Sequence, residues 1–111
     1  KMLSIQDIID INKEFDKGKI VNKGSLEFAL SSIHNTKDWI TQLAYLVRAI
    51  SLDHVFEEGN KRTAAALIIG YAEVHKKGYD PTKVDKIITI VIQKRIQEIK
   101  TIRRMIKDAI W

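Results

Sequence analysis

Nine consecutive positions, 54–62, carry an imidazole (His54), two adjacent carboxylates (Glu57 and Glu58), a glycine (Gly59), an amide (Asn60) and two cations (Lys61 and Arg62). An apolar, alanine-rich run follows at once. The chemistry such a set can do is phosphate chemistry. A glycine ahead of a helix allows a backbone angle that other residues resist, and the unpaired amides of the first helical turn point outward toward an anion. Lys61 and Arg62 add positive charge at that place. Glu58 offers the hard oxygen that Mg²⁺ on nucleotide phosphates prefers. Imidazole exchanges protons near neutral pH, so His54 is the candidate general base for an attacking hydroxyl. Phe56 is expected to point inward and anchor the turn.

A turn of this kind needs stiff flanks. Trp39, Ile40, Leu43, Leu46, Val47 and Ile50 fall on one broad face at helical spacing, with Ala44 and Ala49 beside it, which predicts a helix over 37–52. Beyond the turn, 60–75 reads as a helix that is apolar nearly all round over 63–72, and such a helix belongs in the middle of a bundle. Lys76, Lys77 and Gly78 end it with favourable charge and a usual terminating glycine.

The remaining elements read as scaffold. Ser4 with Ile5, Ile8, Ile9 and Phe15 predicts a first helix over about 4–15, with Asp7 where a capping-box acid belongs. A loop over 16–24 leads to a short helix over 25–33, apolar at Leu26, Phe28, Ala29, Leu30 and Ile33, and a turn over 34–36. Asp80 followed by Pro81 marks another helix start, continued by Val84, Ile87, Ile88 and Val91. The β-branched run 87–92 would also suit a strand, but the cap and the surrounding helices favour a helix. Ile99, Ile102, Ile106 and Ile110 mark a last helix, with no glycine or proline to show where it parts from the one before. The expectation is an all-α bundle of about six helices, in a single domain spanning 1–111.

Composition narrows the function classes. At 111 residues, 45% hydrophobic and 30% charged, the chain can bury one core and is not the disordered type. With no cysteine there is no disulfide, thiolate metal site or cysteine nucleophile. No leader pattern and no apolar run of the roughly 20 residues a span requires are visible, so a soluble, cytoplasmic protein without membrane attachment is expected. A net charge of +5 is compatible with nucleic acid, acidic proteins or phosphorylated small molecules and does not choose among them. The cations near the chain end, Lys94, Arg95, Lys100, Arg103, Arg104 and Lys107, read first as a solvated helix face and second as a contact for nucleic acid or an acidic partner. His34 and His75 are read as surface residues without a role, Trp39 as core, Trp111 as a terminal packing anchor, and Tyr45 and Tyr71 as structural.

The central stretch resembles the signature of the Fic/Doc family, H-x-F-x-[D/E]-[G/A]-N-[K/G]-R, with His54, Phe56, Glu58, Gly59, Asn60, Lys61 and Arg62 each on pattern. The continuation Arg62, Thr63, Ala64 is more similar to the Doc branch, the toxins of addiction modules, and 24–30 is similar to the second helix of such proteins. The resemblance implies a Fic/Doc-type bundle, ATP and Mg²⁺ as cofactors, His54 as catalytic base, Glu58 as the metal ligand, and Gly59, Asn60, Lys61 and Arg62 as the nucleotide-phosphate site. AMP-transferring members usually carry glycine where this chain has Lys61 and a second arginine where it has Ala65. Both differences look like Doc, whose chemistry is phosphorylation from the γ-phosphate. The resemblance further implies a translation factor, elongation factor Tu or its counterpart, as substrate.

Two departures accompany the match. The stretch between the second and third helices, where relatives carry a substrate-docking flap, is only about 34–37. No self-inhibiting S/T-x-x-x-E-G/N stretch is present, so an antitoxin in trans is expected. Alternatives remain AMP transfer to a protein hydroxyl, and an inactive partner-binding module of the same fold. A nucleotide-free metal site of His54 and Glu58 lacks an evident third ligand.

Overall fold

The computed structural model describes residues 3–111 and is all-α, with six helices. They are α1 (Ile5–Asn12), α2 (Lys23–Ile33), α3 (Trp39–Leu52), α4 (Asn60–Val74), α5 (Pro81–Lys94) and α6 (Ile99–Ala109). Among the described residues the β pairing amounts to two isolated antiparallel bridges, Ile20 with Phe56 and Tyr79 with Ile110.

Local sequence signals account for several boundaries. Ser4 and Asp7 close a capping box on α1, the Ser4 hydroxyl accepting from the Asp7 N–H while the Asp7 carboxylate accepts from the Ser4 N–H. The Asp80 carboxylate accepts from the N–H groups of Thr82 and Lys83, with Pro81 at the first position of α5. The run 87–92 is helical, as its cap and setting favoured, and buries Ile87, Ile88 and Val91.

Other boundaries differ from expectation. The first helix stops at Asn12, not near 15: beyond it the Glu14 and Phe15 N–H groups bond three residues back, and Phe15 turns out and is 37% exposed. The second begins two residues early, since Asn22 caps it through the Ser25 N–H, and Phe28 faces solvent at 62% exposure. The break between α5 and α6 falls at Arg95, a left-handed residue (φ 50°), where the N–H of Ile96 reaches back to the carbonyl of Val91. The Arg48 guanidinium of α3, which also lies over the Tyr45 ring, secures the following loop by donating to the Gln97 carbonyl (3.0 Å).

The centre of the bundle is α3, not α4. It packs against α2, α4, α5 and α6, whereas α4 packs against α1, α3 and α5. Leu43, Ala44, Leu46, Val47, Ala49, Ile50 and Ser51 of α3 are all buried, at about 2 kcal/mol for each large aliphatic side chain. The outer side of α4 leaves Glu73 and Val74 in solvent. A side-chain tie joins the start of α3 to α6, which packs on it: Asp38, ahead of α3, accepts from Arg103 Nε of α6 (2.7 Å) and from the Thr41 hydroxyl (2.6 Å). Arg103 is therefore not a free member of the cationic face. No described helix is long and apolar enough to cross a membrane.

Candidate functional site

The chain leaves α3 at Leu52, turns over 53–59 and enters α4 at Asn60. Both ends of this turn are left-handed: His54 at φ 49° and Gly59 at φ 78°. For histidine that conformation costs on the order of 1–2 kcal/mol, so the surroundings must hold it. Between them Val55 and Phe56 are buried at 0% and 1% exposure, which drives the middle of the turn into the core. Phe56 thus anchors the turn inward.

Asn60 closes the turn from within. Its side-chain oxygen accepts from the Phe56 N–H (3.0 Å) and its amide donates to the Phe56 carbonyl (2.8 Å). With its side-chain oxygen and one amide N–H bound to Phe56 and 9% of the residue exposed, the Asn60 side chain serves the turn, and the residue's backbone N–H is open. The N–H groups of Asn60, Lys61 and Arg62 have no acceptor among the described residues, as expected for a first helical turn. Two cations at a helix start oppose the macrodipole, which favours acids there. A site built for a bound anion resolves that conflict, since the anion would sit between the cations and the amides.

The segment 19–22 braces the other side of the turn. The N–H of Val21 and the N–H of Asn22 both donate to the Val55 carbonyl (2.8 and 3.1 Å), and the Glu57 N–H donates to the Lys19 carbonyl (2.9 Å). Lys19 Nζ lies 3.3 Å from Glu57 Oε2, the Asn22 amide donates to the Asp53 carbonyl, and the Ser25 hydroxyl donates to the Asp53 carboxylate (2.7 Å). This separates the two adjacent acids. Glu57 takes part in a surface ion pair, while Glu58 lines a cleft.

That cleft, of 410 Å³, is lined by Phe15, Asp16, His54, Glu58, Gly59, Asn60, Lys61 and Arg62. Every candidate that the sequence singled out for chemistry therefore borders one space. Its size lies within the range of small-molecule sites. The Nδ1 of His54 is 3.1 Å from the Leu52 carbonyl. A carbonyl can only accept, so in the neutral ring the proton sits on Nδ1 and the Nε2 lone pair is free to take a proton. For Mg²⁺ the chain offers Glu58, and no group of three or more histidine, aspartate or glutamate side chains is assembled among the described residues. That donor set fits a metal carried on phosphate oxygens better than one caged by protein.

Three contributors were not foreseen from sequence. Phe15 and Asp16 border the cleft because α1 ends early and the chain bends back over Gly59. Asn12 lies beneath the turn at 0% exposure. Its signal was present: position 12 follows Ile5 and Ile8 on the buried stripe of α1, where a polar side chain needs a buried partner. A second groove of 380 Å³, lined by Lys83, Lys86, Ile87, Ile90, Met105, Asp108 and Ala109, contains no histidine and none of the motif residues. His75 is exposed but stacks on Trp39 (4.2 Å between rings, 9° apart), and Tyr71 lies 6.4 Å from Trp39. Trp39 packs against the edge of the core, partly buried, with the His75 imidazole stacked on it. No family model and no curated protein matches the chain.

Proposed function

We propose that the chain is a Doc-like protein of the Fic/Doc type that transfers the γ-phosphoryl group of ATP, bound with Mg²⁺, to a hydroxyl of a protein. The observation that carries this is the convergence of His54, its Nδ1 held by a carbonyl, with Glu58, Lys61, Arg62 and the open amides of α4 on one cleft. Mg·ATP, when bound, supplies the electrophilic phosphorus and ADP as leaving group. His54 takes the proton that the attacking hydroxyl gives up, Lys61 and Arg62 with the α4 amides hold phosphate oxygens, and Glu58 gives the metal a hard ligand. Such positioning with electrostatic support is most of what phosphoryl transfer asks of a protein. Lys61 stands at the cleft, and Ala65 is partly buried against the core, so no second cation is supplied from that position. Both support γ-phosphoryl transfer over AMP transfer. The resemblance makes a translation factor of the elongation factor Tu kind the proposed substrate and an antitoxin chain the proposed regulator.

The test is to incubate the protein with a cell lysate and ATP labelled at either the γ or the α phosphate, beside His54→Ala. Protein-bound label from the γ position alone, reduced by about 10²–10⁴-fold in the variant, is the expected result. Label from the α position means AMP transfer. Absence of His54-dependent label from both, in a lysate containing the target and free of an inhibitor, makes the chain an inactive binding module.

A further inference from the structure

The catalytic turn rests on a buried amide from another helix. Asn12, the last residue of α1, is fully buried, and each polar atom of its side chain is used. Its Nδ2 donates to the Glu58 carbonyl (3.0 Å) and to the Thr63 hydroxyl (3.0 Å), while its Oδ1 accepts from the Gly18 N–H (2.8 Å). The Thr63 hydroxyl in turn donates to the Gly59 carbonyl (2.8 Å), and the Thr63 N–H donates to the same oxygen (2.9 Å). A Cβ on Gly59 would stand 3.0 Å from Asn12 Nδ2. The two carbonyls flanking the Glu58–Gly59 junction are therefore oriented by one chain of hydrogen bonds that begins on α1.

From this we propose that Asn12 is a positioning residue. It fixes the peptide planes at Glu58 and Gly59, and through them the direction of the Glu58 carboxylate and the open amides at the start of α4. It touches no reacting atom. The donors and acceptors leave little choice of side chain: Glu58 O and Thr63 Oγ, already donating to Gly59, both need a donor, and Gly18 N–H needs an acceptor. Aspartate has the shape but no donor, and it would place a buried charge against the Glu58 carbonyl. Glutamine has the groups and is one methylene too long.

The proposal deepens the phosphoryl-transfer reading of the turn and rests on it for the ligand, so its test has two independent arms. In the first, amide hydrogen exchange is measured on the full chain for Phe56, Glu57 and Thr63, whose N–H groups are bonded within or across the turn to partners other than Asn12. In the second, Mg·ATP binding is titrated. The variants are Asn12→Ala, Asn12→Asp, Thr63→Val and Thr63→Ser, with Ile8→Val as a control that weakens the same helix one turn earlier, at a buried side chain that makes none of the turn's hydrogen bonds.

Asn12→Ala, Asn12→Asp and Thr63→Val are expected to speed exchange at these three amides by about tenfold relative to Ile8→Val, with Mg·ATP affinity falling by about tenfold. Thr63→Ser, which keeps the hydroxyl, should restore both. If Asn12→Ala moves exchange and affinity no more than Ile8→Val does, Asn12 is an ordinary core residue and the proposal is overturned. If the wild-type chain binds no Mg·ATP, the phosphoryl-transfer reading falls, and the exchange arm alone decides whether Asn12 holds the turn. A variant that does not fold is replaced in the comparison by Thr63→Val against Thr63→Ser, which removes one hydroxyl from the same chain of bonds.

Discussion

The two ends of α4 are held in different ways. At its start, side chains do the holding: Asn60 bonds both backbone groups of Phe56, and Asn12 and Thr63 orient the carbonyls of Glu58 and Gly59. After its end, beyond the stacking of His75 on Trp39, the turn that leads to α5 is held by backbone. The N–H groups and carbonyls of Gly78 and Trp111 exchange a pair of bonds at 2.9 Å, and the Asp80 N–H donates to the Ala109 carbonyl. The Trp111 indole lies on Gly78, although 72% of Trp111 is exposed. Backbone pairing uses groups that every residue but proline carries, so it accepts many sequences. A side-chain network accepts few residue types and fixes a geometry, which is what a reacting site needs.

The turns before and after α4 each carry a glycine, and breaking each should expose the contrast. Gly59→Ala has the larger expected effect. It forces alanine into a left-handed conformation and presses a methyl against Asn12 and Asp16, at 3.0 and 3.3 Å, for about 2–3 kcal/mol and a fall in Tm of about 10 °C. Asn60→Ala comes next, at about 2 kcal/mol, because the N–H and carbonyl of Phe56 lose their partner in a buried place; chemical denaturation would show it as a lower midpoint with unchanged slope.

Gly78→Ala brings the new methyl nominally closer, 2.5 Å from the indole nitrogen. Yet the obstacle is the far end of an exposed side chain that can swing away, so the cost should be about 0.5–1 kcal/mol. Replacing Trp111 with alanine in the same chain should remove most of the penalty, a coupling that a double-mutant cycle reads directly. Equal costs for the two glycine substitutions would mean that the two ends are held alike.

The smallest effect calibrates both from outside α4. The Arg103 hydrogen bond foremost, joined by that from Thr41 and by the Arg103 charge, holds the Asp38 carboxyl below its ordinary 3.8, against the opposing effect of desolvation. Because the folded state prefers the charged form, this contribution is fully present above the unfolded pKa and disappears as pH falls through the folded one. Asp38→Asn should thus lose under about 1 kcal/mol at pH 7, given that both partners are about one-third exposed. The gap from wild type should close in acid, as thermal unfolding at pH 7 and pH 2 would record.

Legibility in the sequence tracks the range of the forces. Ser4 with Asp7, and Asp80 with Pro81, work within four residues, and the structure places those helix starts where expected. The stripe over α3 was equally readable. The end of α1 was not: past Asn12 the backbone tightens, the Glu14 and Phe15 N–H groups reaching back three residues, while the Asn12 side chain bonds Glu58, 46 positions away. Nor was the α5–α6 break, where Arg95 takes a left-handed turn that glycine would have announced and the α3 side chain of Arg48 secures the loop at Gln97. The apolar run 63–72 of α4 is buried or half-buried throughout, as its circumference suggested, and what the sequence could not show is that α3 packs against more of the other helices. In the site, the roles of His54 and Glu58 were assigned from the motif, while the partners that hold the turn were not legible: the pairing of Glu57 with Lys19 depends on a segment nearly forty positions earlier.

The reach of Asn12 also bears on the order in which the molecule assembles. Its bond to Thr63 spans 51 positions, and α1 is an eight-residue helix, too short to persist by itself. The turn can therefore take its final shape only after α1 has docked on α4, a late, long-range event by the entropy of closing so large a loop. A chain whose first helix has come away would keep most of the bundle and lose the orientation of the Glu58 and Gly59 peptides, so the readiness of the cleft is set by the undocking free energy of α1, which lies at or below that of global unfolding.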